Sequence, residues 1–496
     1  MTTDALIAEY FASGTLQGLP QDHFIDGAFT RAVANRKMDT FDPGAARAFH
    51  SFAAGDANDI DHAVAAAKRA QRAWGRMKPS ARGAILQRTA QLIRAEAGRL
   101  AVVESLDSGK TLTEAEGDVA GAARCFDYYA GAADKLQGDS FPIGADYVAF
   151  SSQEPVGVTA HIIPWNYPLS TAARGIAPAL AAGCTVVAKP AEQTPLTALM
   201  LADILYRAGL PAGVCNVVTG TGIEVGSPLV AHPDVRHVTF TGSVRTGIGV
   251  MQAAAPNVTS VVLELGGKSP VVVMADANLE AAIEGILGAI YENAGQICSA
   301  GSRLVVERAV HQELVDRLAT RASALKPGHG LRRPDVGALN SAAHLEKVAG
   351  YVEAAKARGI AIAAGGARTV DPQSGQGWFF QPTILDKVTP EDPVIQEEIF
   401  GPVLSVQVVD GEEEAVAAAN GTSFGLVAGI YTRDFATAHR MARDIDAGQV
   451  YINEYFAGGI EVPFGGNKLS GFGREKGLEA LRSYTRVKSV AAKISE

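Results

Sequence analysis

The sequence predicts an α/β protein with parallel sheets in more than one domain. Three observations predict it. Short β-branched segments alternate with helix-length ones from about residue 155 onward. Several of those segments are apolar throughout, as strands covered on both faces are. The chain has 496 residues, more than the roughly 250–300 that one core holds.

The first third reads as helical. Between Ala81 and Leu100, Ile85/Leu86, Leu92/Ile93 and Leu100 recur at the spacing of one helix face. Five strand-like runs follow: GVTAHII ending at Ile163, CTVVAKP from Cys184, VCNVVTG ending at Gly220, HVTFTG ending at Gly242 and SVVLELGG ending at Gly267. One intervening helix is well punctuated, with Thr194 as N-cap, Pro195 at the first helical position, and Gly209 and Pro211 as stop signals. Beyond Lys268 a second α/β region contains RLVVE, VLSVQVV and a helical GEEEAVAAAN. The C-terminal SYTRVKSVAAKI alternates like an exposed edge strand, which usually finds a partner, here a second subunit. Parallel sheets bind ligands at the carboxyl ends of their strands, so those ends carry the functional reading.

Composition excludes several classes. A net charge of −9 without any Lys/Arg run argues against nucleic acid or an anionic membrane as partner. The opening MTTDALIAEYFASG carries Asp4 and Glu9 where a signal peptide would be positive, and no apolar run approaches ~18 residues. A cytoplasmic location is expected. Cys125, Cys184, Cys215 and Cys298 are scattered, which fits neither a disulfide framework nor a zinc site. His232 and His237 of HPDVRH read as loop and strand-edge histidines, so no metal is expected.

The chemistry concentrates elsewhere. GTGIEVG has GxGxxxG spacing, one residue longer than the dinucleotide fingerprint, and reads as a plain turn. Cys298 lies in NAGQICSAGS, where small residues allow close approach of a ligand; the other three cysteines read as buried hydrophobes. A nucleophilic thiolate needs a base and an oxyanion donor. Glu264, at a strand end in LELGGKSP, is a candidate base, and the Asn166 amide in IIPWNYPL is a candidate donor.

IIPWNYPL, VAKPAEQTP, FTGSVRTG, LELGGKSP, GQICSAG, EEIFGPV and PFGGNKLSGFGRE occur in the order and rough spacing of the NAD(P)-dependent aldehyde dehydrogenase superfamily, which the chain resembles from about residue 25 to its end. The resemblance implies that Cys298 attacks the aldehyde, that Asn166 and the Cys298 N–H hold the oxyanion, and that Glu264 activates water against a thioester. It further implies NAD as cofactor, with NADP as the alternative. Lys189 and Glu192 match the positions that hold the adenosine ribose, where a carboxylate disfavours a 2′-phosphate. Gly242 and Ser243 match the pyrophosphate turn, Glu398 and Phe400 match the nicotinamide-side positions, and Ile162, Ile163 and Trp165 are expected to line the same cleft.

For the substrate pocket the resemblance points to Tyr167, Arg174, Glu292, Phe456 and Phe464. Arg174 matches a carboxylate-binding position of succinate-semialdehyde dehydrogenases, whereas Glu292 stands where that branch often has a second Arg. Arg174 and Glu292 are therefore expected either to contact substrate or to pair with each other. A polar ω-substituted aliphatic aldehyde follows, a semialdehyde slightly ahead of an amino-aldehyde. Many relatives carry a Lys where this chain has Gly175, thought to relay protons with the Glu of GRE, here Glu475. The alternatives are a CoA-acylating enzyme, against which Glu264 argues, and a non-catalytic structural relative, against which the intact Cys298, Asn166 and Glu264 argue.

The fold expected from the resemblance is aldehyde-dehydrogenase-like, with two parallel-sheet domains. A Rossmann-like cofactor domain takes 1–128 and 150–261, a catalytic domain 262–477, and an oligomerisation ribbon 129–149 with 478–496. The expected partners are a small aldehyde and further copies of the chain, as a homodimer or homotetramer.

Overall fold

Two large sheets organise the computed structural model, which describes residues 2–494. The first has eight strands, in spatial order Ala28–Thr30, His23–Ile25, Cys215–Val217, Thr185–Pro190, Val158–Ile163, Val235–Thr241, Ser260–Glu264 and Gly471–Phe472. The five from Cys215–Val217 to Ser260–Glu264 are parallel and are the five runs expected from the sequence. From Val158–Ile163 the chain steps outward to Cys215–Val217, then returns to the other side of Val158–Ile163. That reversal opens a crevice at the carboxyl ends of neighbouring strands, where parallel sheets bind ligands.

The second sheet runs Ala361–Ala364, Thr383–Asp386, Val403–Val409, Arg303–Glu307, Pro270–Val273, Val427–Tyr431 and Gln449–Ile452, with only its first strand antiparallel. The central runs of both sheets, Val186–Ala188 and Val271–Val273, have no exposed surface. Full burial of each larger side chain contributes roughly 1.5–3 kcal/mol, which is why these segments are apolar without alternation. One crossing ties the two halves together. The short strand Gly471–Phe472 follows the second sheet in sequence yet pairs antiparallel with Leu263–Glu264 of the first.

Several expectations need correction. The helix expected over 81–100 is two helices, Pro79–Ala95 and Ala97–Ser108, broken at Glu96 with φ −107° and ψ 13°. The first third also holds two antiparallel pairs, within 23–30 and 37–53. The punctuated helix spans Leu196–Arg207, and its first N–H donates to the buried Asp107 carboxylate at 3.0 Å rather than to Thr194. His237 sits in an interior strand, not at an edge, hydrogen-bonded to the Ser260 hydroxyl at 2.9 Å.

The ribbon pairs Tyr147–Pro155 with Thr485–Lys493 over nine consecutive positions. This is later in the chain than 129–149, because helix Leu112–Ala132 runs past residue 129 and the first ribbon strand begins only at Tyr147. Tyr147, Val148, Phe150, Val487 and Val490 are exposed on it. Among the described residues no helix is long and apolar enough to cross a membrane.

Candidate active site

The loop carrying Cys298 is held by strained backbone with many partners. After helix Leu279–Tyr291, Asn293, Ala294 and Gly295 adopt left-handed conformations at φ 47°, 54° and 72°. For the two non-glycine residues this costs on the order of 1–3 kcal/mol each, a strain that persists only where surroundings enforce it. The enforcing contacts are present. The Asn293 N–H donates to Glu114 at 2.6 Å, and its side-chain amide donates to the Asn166 carbonyl at 3.1 Å. Gln296 donates to the carbonyls of Asn293 and Ala338 at 3.0 and 3.2 Å, and accepts from the Asn340 N–H at 2.9 Å. A Cβ on Gly267 would lie 2.4 Å from the Cys298 carbonyl, so only glycine lets the LELGG segment pass this loop. Cys298 emerges half-buried, whereas the other three cysteines are buried.

Asn166 follows strand Val158–Ile163 and precedes helix Pro168–Ala182. One of its amide N–H groups donates to the Gln296 carbonyl at 2.8 Å, two residues before the thiol. The other N–H has no acceptor among the described residues. Glu264 ends its strand with both carboxylate oxygens buried and unpartnered. Burial raises its pKa well above the ordinary range; Glu475 pushes the same way and Arg174 opposes. Burial likewise pushes the Cys298 thiol up to about 12, with the Arg174 charge pulling it down.

Two cavities meet at this cysteine. The larger, about 440 Å³, lies along the crevice of the first sheet. Lys189 and Glu192 pair at 2.9 Å at its edge. Ile162, Ile163 and Trp165 line it, as do Gly242 and Ser243 at the start of helix Val244–Ala254, which the Ser243 hydroxyl caps by accepting from the Thr246 N–H at 3.3 Å. Glu398 and Phe400 line it near Cys298; Glu398 accepts from the Gly267 N–H at 2.9 Å, and the Phe400 ring packs edge-on to Trp165. The buried Thr241 hydroxyl facing this space has no partner. A crevice lined by a carboxylate and an amine, by the N-terminus of a helix and by the Cys298 thiol fits a dinucleotide.

The smaller cavity, about 240 Å³, holds Tyr167, Arg174, Glu292, Phe456 and Phe464 on its walls, with Asn166 and Cys298. Arg174 and Glu292 do not pair. Arg174 forms its ion pair with Glu475, and Glu292 instead accepts from the Tyr167 hydroxyl at 3.3 Å. Burial and the nearby Glu114 and Asp118 push the Glu292 carboxyl up to about 7. A Cβ on Gly175 would lie 2.7 Å from the His161 ring, so a side chain there would displace that buried histidine.

Sequence reasoning passed over His344 and Lys347, which line the larger cavity, Lys476, which lines the smaller, and Thr241, which lines both. Thr241 sits inside FTGSVRTG beside Gly242, and Lys476 follows GRE by one position; His344 and Lys347 lie in no motif. Gly222, read as part of a plain turn, borders the larger cavity where Thr221 caps the segment Gly222–Gly226.

Comparison with known proteins identifies the family. The model of the aldehyde dehydrogenase family matches residues 29–490. A betaine aldehyde dehydrogenase of Bacillus subtilis is 42% identical over 95% of this chain and 97% of its own. The zebrafish (Danio rerio) 4-trimethylaminobutyraldehyde dehydrogenase A is 40% identical over 98% and 96%. An indole-3-acetaldehyde dehydrogenase solved with NAD+ superposes with a TM-score of 0.96 at 38% identity, covering 99% of this chain and all of that one. On the strength of matches that span nearly its whole length, the chain belongs to the aldehyde dehydrogenase family.

Proposed function

We propose that the protein oxidises a polar, ω-substituted aliphatic aldehyde to the carboxylic acid with NAD, through covalent intermediates on Cys298. The observation that carries this reading is that Cys298 and Asn166 border both cavities, so one thiol can face an aldehyde on one side and a cofactor on the other.

In this reading Lys189 and Glu192 hold the adenosine ribose, the N-terminus of helix Val244–Ala254 receives the pyrophosphate, and Glu398 and Phe400 orient the nicotinamide end. The Glu192 carboxylate accepts ribose hydroxyls and repels a 2′-phosphate, which favours NAD over NADP. The bound cofactor supplies the hydride acceptor.

The Cys298 thiolate attacks the carbonyl carbon to give a thiohemiacetal oxyanion. The free N–H of Asn166 and the Cys298 backbone N–H donate to it, and collapse of that oxyanion to the thioester carbonyl expels the hydride from the tetrahedral carbon. The resulting thioester is cleaved by water, from which Glu264 takes a proton; a raised carboxyl pKa gives the stronger base once it is ionised. The guanidinium of Arg174 cannot relay protons, so Arg174 acts through charge, lowering both the Cys298 thiol and Glu264, while Glu475 pushes Glu264 the other way. The exposed apolar residues on the paired ribbon support assembly into a homodimer or homotetramer.

The test is NADH formation by the purified protein with semialdehydes, amino-aldehydes, aromatic aldehydes and alkanals, each with NAD or NADP and with or without CoA. Turnover of polar aldehydes without CoA, abolished in Cys298→Ser, is the expected result. Equal turnover of benzaldehyde and long alkanals removes the substrate reading, and activity in Cys298→Ser removes the mechanism.

A further inference from the structure

We infer that Lys476 is a specificity-determining residue of this site, a cation placed to receive a carboxylate on the far end of the aldehyde. The inference rests on the aldehyde-oxidising reading above and names its substrate class.

Lys476 lines the smaller cavity together with Cys298 and Arg174. Its ammonium and the Arg174 guanidinium both lie over the Phe464 ring, 5.1 and 5.3 Å from its centroid. The ion pair on this wall is Arg174 with Glu475; the Glu264 carboxyl, raised well above the ordinary range by burial, acts on both cations only at longer range. Among the described residues no carboxylate oxygen lies within 4.0 Å of the Lys476 ammonium. The wall therefore carries an ammonium without an ion-pair partner of its own.

The backbone points the same way. Lys476 has φ 61° and ψ 174°, a region that glycine alone occupies without strain. A long charged side chain is held there, directed into the pocket, where glycine would cost nothing. Burial and Arg174 lower its pKa only to about 8, so it is charged at neutral pH. The opposing acid is weak: Glu292, at about 7, is protonated in a large fraction of molecules and is hydrogen-bonded to Tyr167. An anionic tail thus gains an unpaired cation, whereas a quaternary ammonium tail, of the kind in the names of two relatives, meets like charge.

The experiment compares three aldehydes of equal chain length, ending in a carboxylate, its methyl ester or a trimethylammonium group, across wild type, Lys476→Met, Lys476→Gly and Lys476→Arg. Wild type is expected to prefer the carboxylate over the ester in kcat/KM, chiefly through KM. Lys476→Met and Lys476→Gly should each reduce that preference by about 10–100-fold, the worth of a charge-assisted hydrogen bond, while Lys476→Arg keeps most of it. Gly relieves the backbone strain, so its loss of preference does not come from misfolding. A preference unchanged in both Met and Gly variants, or a wild type that favours the ester or the ammonium aldehyde, overturns the inference. Failure of the parent reading is distinct: wild type would form NADH from none of the three, and both proposals would fall.

Discussion

Arg174 and Glu475 form an ion pair that ties the helix behind Asn166 to the C-terminal segment. Both side chains are largely buried, and Glu475 has no hydrogen-bond partner to replace the guanidinium. Removing one member of a buried pair typically costs about 3–5 kcal/mol, because the other charge is stranded. Arg174→Met should lower the urea midpoint accordingly, and Arg174→Met with Glu475→Leu should recover at least half of the loss. Equal instability of the single and double variants would show that the pair is not what holds these segments together.

Asn166 spends one N–H on the Gln296 carbonyl and keeps the other free. Asn166→Ala should reduce kcat by roughly 10²–10³, the usual cost of one oxyanion donor. Cofactor binding, read by protein fluorescence quenching, should change little. A kcat within threefold of wild type would remove Asn166 from that role.

Glu264→Gln removes a base but not the nucleophile. Rapid mixing should still show a burst of one NADH per active site, followed by a steady rate slower by about 10²–10⁴. Loss of the burst would mean that Glu264 acts before the thioester, in forming the thiolate. Added CoA or hydroxylamine should restore turnover in the variant that retains its burst.

His161 and His237 are buried around Tyr484 and are held neutral, with pKa values pushed down by burial to about 3 and about 4. In the unfolded chain each takes up a proton near pH 6.5. Their contribution is therefore complete above that pH and is lost as pH falls from about 6.5 toward 4. Per histidine the loss between pH 6.5 and 5 is on the order of 2 kcal/mol. His237→Gln should show a smaller fall in thermal midpoint between pH 7 and pH 5 than wild type; parallel curves would refute this.

Truncation after Tyr484 removes the strand Thr485–Lys493 and unpairs Tyr147–Pro155. Light scattering should then report a smaller assembly than full-length protein gives at the same concentration. An unchanged mass would place the subunit contact elsewhere.

Much of this site was legible because its parts sit at strand ends that physics marks in sequence. Val158–Ile163, Val235–Thr241 and Ser260–Glu264 are short, largely buried strands rich in β-branched residues, and Asn166, Ser243 and Glu264 fall where or just after those runs stop. Long-range choices were not legible. Whether Arg174 meets Glu292 or Glu475 depends on how helix Pro168–Ala182 is rotated against the C-terminal segment. Tyr167 then takes Glu292, leaving Glu475 as the carboxylate within reach. Lys476 and His344 reach the site through chain reversals that no local pattern encodes. The hidden Glu96 break follows the same logic: the apolar spacing continues across it, so periodicity alone reads one helix.

The strand Gly471–Phe472 has a consequence for how the molecule is made. It follows every strand of the second sheet in the chain, yet it completes the edge beside Glu264, and the residues after it deliver Glu475 and Lys476. Until it docks, a nascent chain has its sulfur in place but neither a finished pocket nor the paired charge that tunes it. Closure of the Arg174–Glu475 pair therefore waits on the docking of that strand, so the charge beside Cys298 and the finished sheet edge are gained in one step.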